Sequence, residues 1–164
     1  MKTLLLLRHA KSSWGDATLP DHDRPLNPRG QRDVPRMGQW IREQGLCPSL
    51  IASSTAVRAR TTAQGVAEAC GYRHDVVRVP QLYLGCPSDY ADYLRTVGEE
   101  HPSVLVVGHN PGLEQLLERL TGVRERFPTA ALAQIIWDDL DWVDLADLPT
   151  GQLVVVQRPK MLSA

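Results

Sequence analysis

No stretch of this 164-residue chain approaches the ~20 consecutive apolar residues of a membrane-spanning helix, so the sequence argues against insertion in a bilayer. The apolar run Leu4 to Leu7, between Lys2 and Arg8, is shorter than the ~7–15 residues of a secretory signal core. Cysteine is scarce: Cys47, Cys70 and Cys86 lie far apart in sequence, form no CxxC pair and leave one over if two should join. That pattern supports neither a disulfide scaffold nor a zinc ribbon, and fits reduced thiols in a cytoplasmic protein. Charge of one sign is lacking as well, since 18 basic and 19 acidic residues give a formal net charge of −1. The broad positive field expected of a nucleic-acid binder is missing. Lysine is rare among the basic residues: apart from Lys2, Lys11 and Lys160 they are all arginine, the side chain whose planar fork suits phosphate and carboxylate.

What is present describes an ordinary globular chain. With 43% apolar and 23% charged residues, its length predicts a single domain over 1–164 that buries roughly 70% of the unfolded surface. Leu4 to Leu7 and Val104 to Val107 are unalternating apolar runs followed by polar turn residues, the pattern of parallel strands covered on both faces. Leu50 to Ala52 and Val76 to Val79 are weaker versions. Helical stripes lie between them at Val34, Met37 and Ile41, at Tyr90, Tyr93, Leu94 and Val97, and at Leu113, Leu116, Leu117 and Leu120. A fourth helix, Thr55 to Cys70, ends at Gly71. Pro35 should kink or restart the first helix unless it lies in the opening turn. Ala131 to Trp137 and Leu153 to Gln157 are expected to form the edge of the sheet, joined by a solvated acidic connection from Asp138 to Asp147. The alternation predicts an α/β fold: a three-layer α/β/α sandwich on a mostly parallel sheet.

In such sheets ligands bind beyond the carboxyl ends of the strands. Two of those positions hold histidine, in Arg8-His9-Ala10 and in Gly108-His109-Asn110-Pro111. Asn110 as N-cap and Pro111 at the first helical position would open a helix toward the strand end, where free N–H groups attract anions. Arg58 falls in the first turn of the helix after Ser53-Ser54-Thr55 and faces the same crevice, whereas Arg60 lies about 200° around that helix. Two arginines, two histidines and a helix start make a pocket for a small dianion. A neutral imidazole there can attack phosphorus, and a protonated neighbour would stabilise the equatorial oxygens. Lys11, Ser12 and Ser13 offer further donors. Arg24 either overhangs the rim or is tied by Asp21 or Asp23. His22 is expected in a solvated loop, His74 and His101 at the surface, and the cysteines in structural roles.

These motifs resemble the histidine phosphatase superfamily, and the branch most similar is that of the SixA-like phosphohistidine phosphatases. Arg24-Pro25-Leu26 with Arg29-Gly30, Thr62-Ala63 after Arg58, and Phe127-Pro128-Thr129 before the last strands resemble that branch in order and spacing. The likeness spans residue 3 to about 133. It implies a phosphoglycerate mutase-like fold, with His9 as phosphate acceptor and Arg8, Arg58 and His109 around the phosphoryl group. It also implies that no metal or organic cofactor is needed. Thr55 stands where the family usually has proline, and threonine can cap the helix instead.

Mutases and many monoesterases of the superfamily carry a glutamate acid in an insertion, but the corresponding stretch here, Gln81 to Gly85, has no carboxylate. A leaving imidazole needs such an acid less than a leaving alkoxide does. The expected activity is therefore hydrolysis of phosphohistidine on a partner protein, with phosphate and vanadate-like anions binding at the same place. The site expectation comprises His9, His109, Arg8, Arg58, Asn110, Ser12 and Arg24. Two alternatives are a small-molecule phosphomonoesterase acting on a phosphorylated metabolite, with Asp16, Asp21 or Asp23 as acid, and a phosphate-binding interaction domain without turnover.

Overall fold

The structure is a computed structural model that describes residues 1–162. Chain order is β1 (Lys2–Arg8), α1 (Pro28–Glu43), β2 (Leu50–Ser53), α2 (Val57–Cys70), β3 (Val77–Arg78), α3 (Pro87–Leu94), β4 (Ser103–Gly108), α4 (Gly112–Thr121), β5 (Leu132–Trp137) and β6 (Gln152–Gln157). Among the described residues the strands form one sheet in the order β3-β2-β4-β1-β5-β6. Strands β3, β2, β4 and β1 run parallel, and β5 turns back antiparallel to both β1 and β6. The fold is the expected α/β sandwich, phosphoglycerate mutase-like, with β6 at the edge.

The unalternating leucines of β1 are explained by the two cores they feed. Leu4 and Leu6 pack with α3 and α4 on one face, while Leu5 and Leu7 pack with α1 and α2 on the other. All four are fully buried, so neither face tolerates a polar residue. Strands β1 and β4 pair from Thr3 with Ser103 to Arg8 with Gly108. That register brings the residues after both strands, His9 and His109, to the same end of the sheet.

Several elements depart from expectation. α1 runs unbroken through Pro35, which lies in its third turn. Pro35 and Gln31 are both exposed, so water takes the carbonyl that the missing N–H leaves free, while Val34, Met37 and Ile41 stay buried. α3 stops at Leu94, and Val97 joins the core from the turn that follows. The acidic connection keeps its carboxylates exposed, but it is not a solvated loop: Trp142–Asp147 forms a 3-10 helix with Trp142 and Leu145 buried. The indole of Trp142 donates to the His101 carbonyl at 2.7 Å. Folding also brings Cys47 and Cys70, separate in sequence, to 3.6 Å between sulfurs, both as free thiols.

Candidate active site

His9 leaves the end of β1 with its tautomer set by the backbone. Its Nδ1 lies 2.8 Å from the Ala10 carbonyl; a carbonyl can only accept, so Nδ1 carries the hydrogen and Nε2 keeps its lone pair. The Ala10 peptide is itself fixed, because its N–H donates to Thr62 Oγ1 at 3.0 Å while that hydroxyl donates to the Arg58 carbonyl at 2.7 Å. His9 is 7% exposed. Burial, with the charges of Arg58, Arg8 and Arg24, lowers its pKa from 6.5 to about 4, so the ring is neutral at neutral pH.

His109 follows β4 with its ring centroid 5.1 Å from that of His9. Its Nε2 lies 2.8 Å from Ser54 Oγ, and Arg58 Nη2 approaches Nδ1 at 3.5 Å. Its backbone N–H donates to the hydroxyl of Tyr90 at 3.1 Å. A Cβ on Gly108 would stand 2.1 Å from that hydroxyl, which explains why glycine precedes this histidine. Burial, then the charges of His9 and Arg58, lowers the His109 pKa to about 3. In the ligand-free site desolvation and positive surroundings keep this ring neutral, so the protonated neighbour expected from the sequence requires a bound anion. A phosphoryl dianion would favour its protonation.

Arg58 occupies the first turn of α2 and is buried. It donates from Nη1 to the Asp21 carbonyl at 2.7 Å and pairs from Nη2 with the Asp21 carboxylate at 3.0 Å. Arg24 pairs with the same carboxylate at 2.8 Å, donates from Nε to the Ser13 carbonyl at 3.1 Å, and donates to the hydroxyl of Ser12. The Trp14 ring lies 3.3 Å from this guanidinium. Arg24 is therefore both tied by Asp21 and placed at the rim. The Tyr83 hydroxyl also donates to Asp21, and that bond, with the two arginines, lowers the Asp21 pKa to about 2. Arg8 donates from Nη1 to the Phe127 carbonyl at 3.1 Å, while its Nε is buried without a partner.

Two local expectations are overturned. Asn110 does not cap a helix: its amide donates to Glu114 at 3.0 Å and to the Phe127 carbonyl at 2.8 Å, and α4 begins two residues later at Gly112. Those bonds tie Asn110 to α4 and to the chain before β5 in the ligand-free protein. Thr55 does not cap α2, because its hydroxyl bonds His22 Nε2 at 2.9 Å. The same bond anchors the half-exposed His22, whose ring packs edge-on against Tyr83 with centroids 4.8 Å apart. Arg60 turns away as expected, donating to the Thr55 carbonyl at 2.8 Å.

Residues 4–82 match the family model of the histidine phosphatase superfamily (branch 1). An uncharacterized chloroplastic protein of Arabidopsis thaliana is 35% identical over 81% of this chain and 66% of its own length. An uncharacterized protein of Mycobacterium tuberculosis is 33% identical over 77% of this chain and 84% of its own. The chain belongs to the histidine phosphatase superfamily. Within it, the crystal structure of the putative phosphohistidine phosphatase SixA from Agrobacterium tumefaciens is similar at 29% identity, with a TM-score of 0.82 over 96% of this chain and 98% of that one. The chain is SixA-like.

Membership in this superfamily gives the remaining motifs a physical reading. Leu26 bridges Ser12, and the Asn27 N–H donates to the Lys11 carbonyl at 3.0 Å, so the Arg24-Pro25-Leu26 segment braces the loop after His9. The Phe127 carbonyl receives both Arg8 and Asn110, and the Ala130 N–H donates back to the carbonyls of Arg8 and His9. Five contributors escaped sequence reasoning in their site roles: Ser54, Thr62, Tyr83, Tyr90 and Asp21 as the shared partner of two arginines. A hydroxyl's partner depends on which distant backbone the fold brings to it, and no local pattern marks that.

Among the described residues no helix is long and apolar enough to cross a membrane.

Proposed function

We propose that the protein is a cytoplasmic phosphatase that removes the phosphoryl group from phosphohistidine on a partner protein, with His9 as nucleophile. The observation that carries this reading is a neutral His9 with Nε2 unprotonated, 5.1 Å ring to ring from His109 and flanked by Arg58 and Arg8. Nε2 attacks phosphorus, an Nε2–P bond forms, the P–N bond of the substrate breaks, and the departing imidazole takes up a proton from solvent water. Water then attacks the phosphoenzyme, releasing phosphate and restoring His9. Arg8 and Arg58 hold the equatorial oxygens through charge-assisted hydrogen bonds, and His109 gains a proton as the dianion enters. The scheme uses no metal or organic cofactor.

A carboxylate does reach this rim, since Asp21 stands on Arg58 beside Tyr83. The test is phosphate release from a histidine-phosphorylated carrier protein beside a panel of phosphomonoesters, with His9→Ala as control. Turnover of the carrier far above the esters, lost in His9→Ala, is the expected result. Preference for an ester would assign a metabolite phosphatase, and equal activity in His9→Ala would overturn the covalent route.

A further inference from the structure

A groove of about 790 Å³ begins at Arg8, next to His9 in the chain, passes Phe127 and Pro128, and reaches Lys160. It is far larger than one phosphoryl group requires and lies within the ~300–1,000 Å³ of ordinary ligand sites. The strand register explains its position: Leu7 pairs with Leu132, and Leu132 with Gln157. The chain before β5 and the chain after β6 thus both emerge at the sheet end that carries His9.

The groove is lined by four cations, Arg8, Arg126, Arg158 and Lys160, and two carboxylates, Glu114 and Glu125. Both carboxylates are already engaged. Glu114 accepts from Asn110 at 3.0 Å and from the Phe127 N–H at 2.8 Å, and Glu125 pairs with Arg158 at 2.8 Å. Arg126 and Lys160 are exposed and pair with no carboxylate among the described residues. This local excess of positive charge stands against the chain's net −1, and Arg8 joins it directly to the candidate phosphoryl site.

Resting on the phosphatase reading above, we propose that this groove binds an acidic stretch of the polypeptide that carries the phosphoryl group. Arg126 and Lys160 would pair with Asp or Glu side chains near the phosphohistidine while Arg8 stays on the phosphoryl oxygens. Arg126 and Lys160 come from separate segments on either side of the two last strands, an arrangement that suits an extended chain.

The test compares two phosphohistidine peptides, one with acidic and one with neutral flanks, and p-nitrophenyl phosphate, on the parent and on the double variant Arg126→Glu, Lys160→Glu. The parent should favour the acidic peptide by about tenfold in kcat/KM at low salt, and less at high salt. The double variant should lose that preference while its p-nitrophenyl phosphate turnover stays unchanged. Equal kcat/KM for the two peptides in the parent would overturn the proposal. So would a variant that slows all three substrates alike. If neither peptide is turned over, the phosphatase reading fails separately. Binding of the unphosphorylated acidic peptide, measured by fluorescence anisotropy, then decides the groove: binding lost in the double variant supports it, and no binding by the parent overturns it.

Discussion

In the proposed reaction His9 and Arg58 divide the labour of the site, one through a lone pair and the other through charge. Because Arg58 spends donors on Asp21 in the free protein, the carboxylate and an incoming anion draw on the same guanidinium. Arg58→Ala removes a charge-assisted contact worth about 1.5–3 kcal/mol, so the vanadate inhibition constant should rise roughly ten- to a hundredfold. Unchanged inhibition would place Arg58 outside the anion site. Asp21→Asn should act oppositely, tightening vanadate several-fold by removing a negative charge from beside the anion. Weaker vanadate binding in that variant would show that Asp21 serves by orienting Arg58.

At the scale of elements, the loop after β1 is held by what packs on it. α1 starts with the Asn27 side chain accepting from the Gly30 N–H at 2.9 Å, and a Cβ on Gly30 would lie 2.2 Å from the Lys11 carbonyl. That contact is backbone, which cannot swing aside as a side chain would. Gly30→Ala should therefore push the first turn of α1 off the nucleophile loop and cost about 1–3 kcal/mol. Urea unfolding measures the cost, and kcat should fall more than KM rises because His9 moves with its loop. A variant as stable and active as the parent would show that the loop adapts.

For the whole molecule, two imidazoles buried in neutral form make stability depend on pH. His9 is lowered to about 4 and His109 to about 3, both from 6.5. Below pH 6.5 the unfolded chain binds protons that the folded chain refuses, so stability is full above that value. It falls as pH drops toward about 4 and then about 3, by about 1.4 kcal/mol for each pH unit by which a ring's pKa is lowered. Asp21, lowered from 3.8 to about 2, adds a loss of the same sign at still lower pH. Urea unfolding at pH 7.5, 6 and 5 should show a decline that flattens in His9→Ala. A pH-independent unfolding free energy would contradict the burial of neutral rings.

The sequence by itself determined the sandwich, the strand ends that matter, and the set His9, His109, Arg8 and Arg58. Apolar runs, helical stripes and the residues next to them are local patterns, and local patterns survive without coordinates. It also placed Arg60 off the site by helical phase alone. Only the tertiary structure decided that Asn110 ties α4 to the chain before β5, that His22 meets Thr55, and that Asp21 joins Arg58 to Arg24. Each of these is a hydrogen bond or ion pair between groups whose separation is set by the packed layers. Protonation belongs there too: the sequence assigns an imidazole its reference pKa, but burial and neighbouring guanidiniums make both rings neutral, and those exist only once the chain is folded.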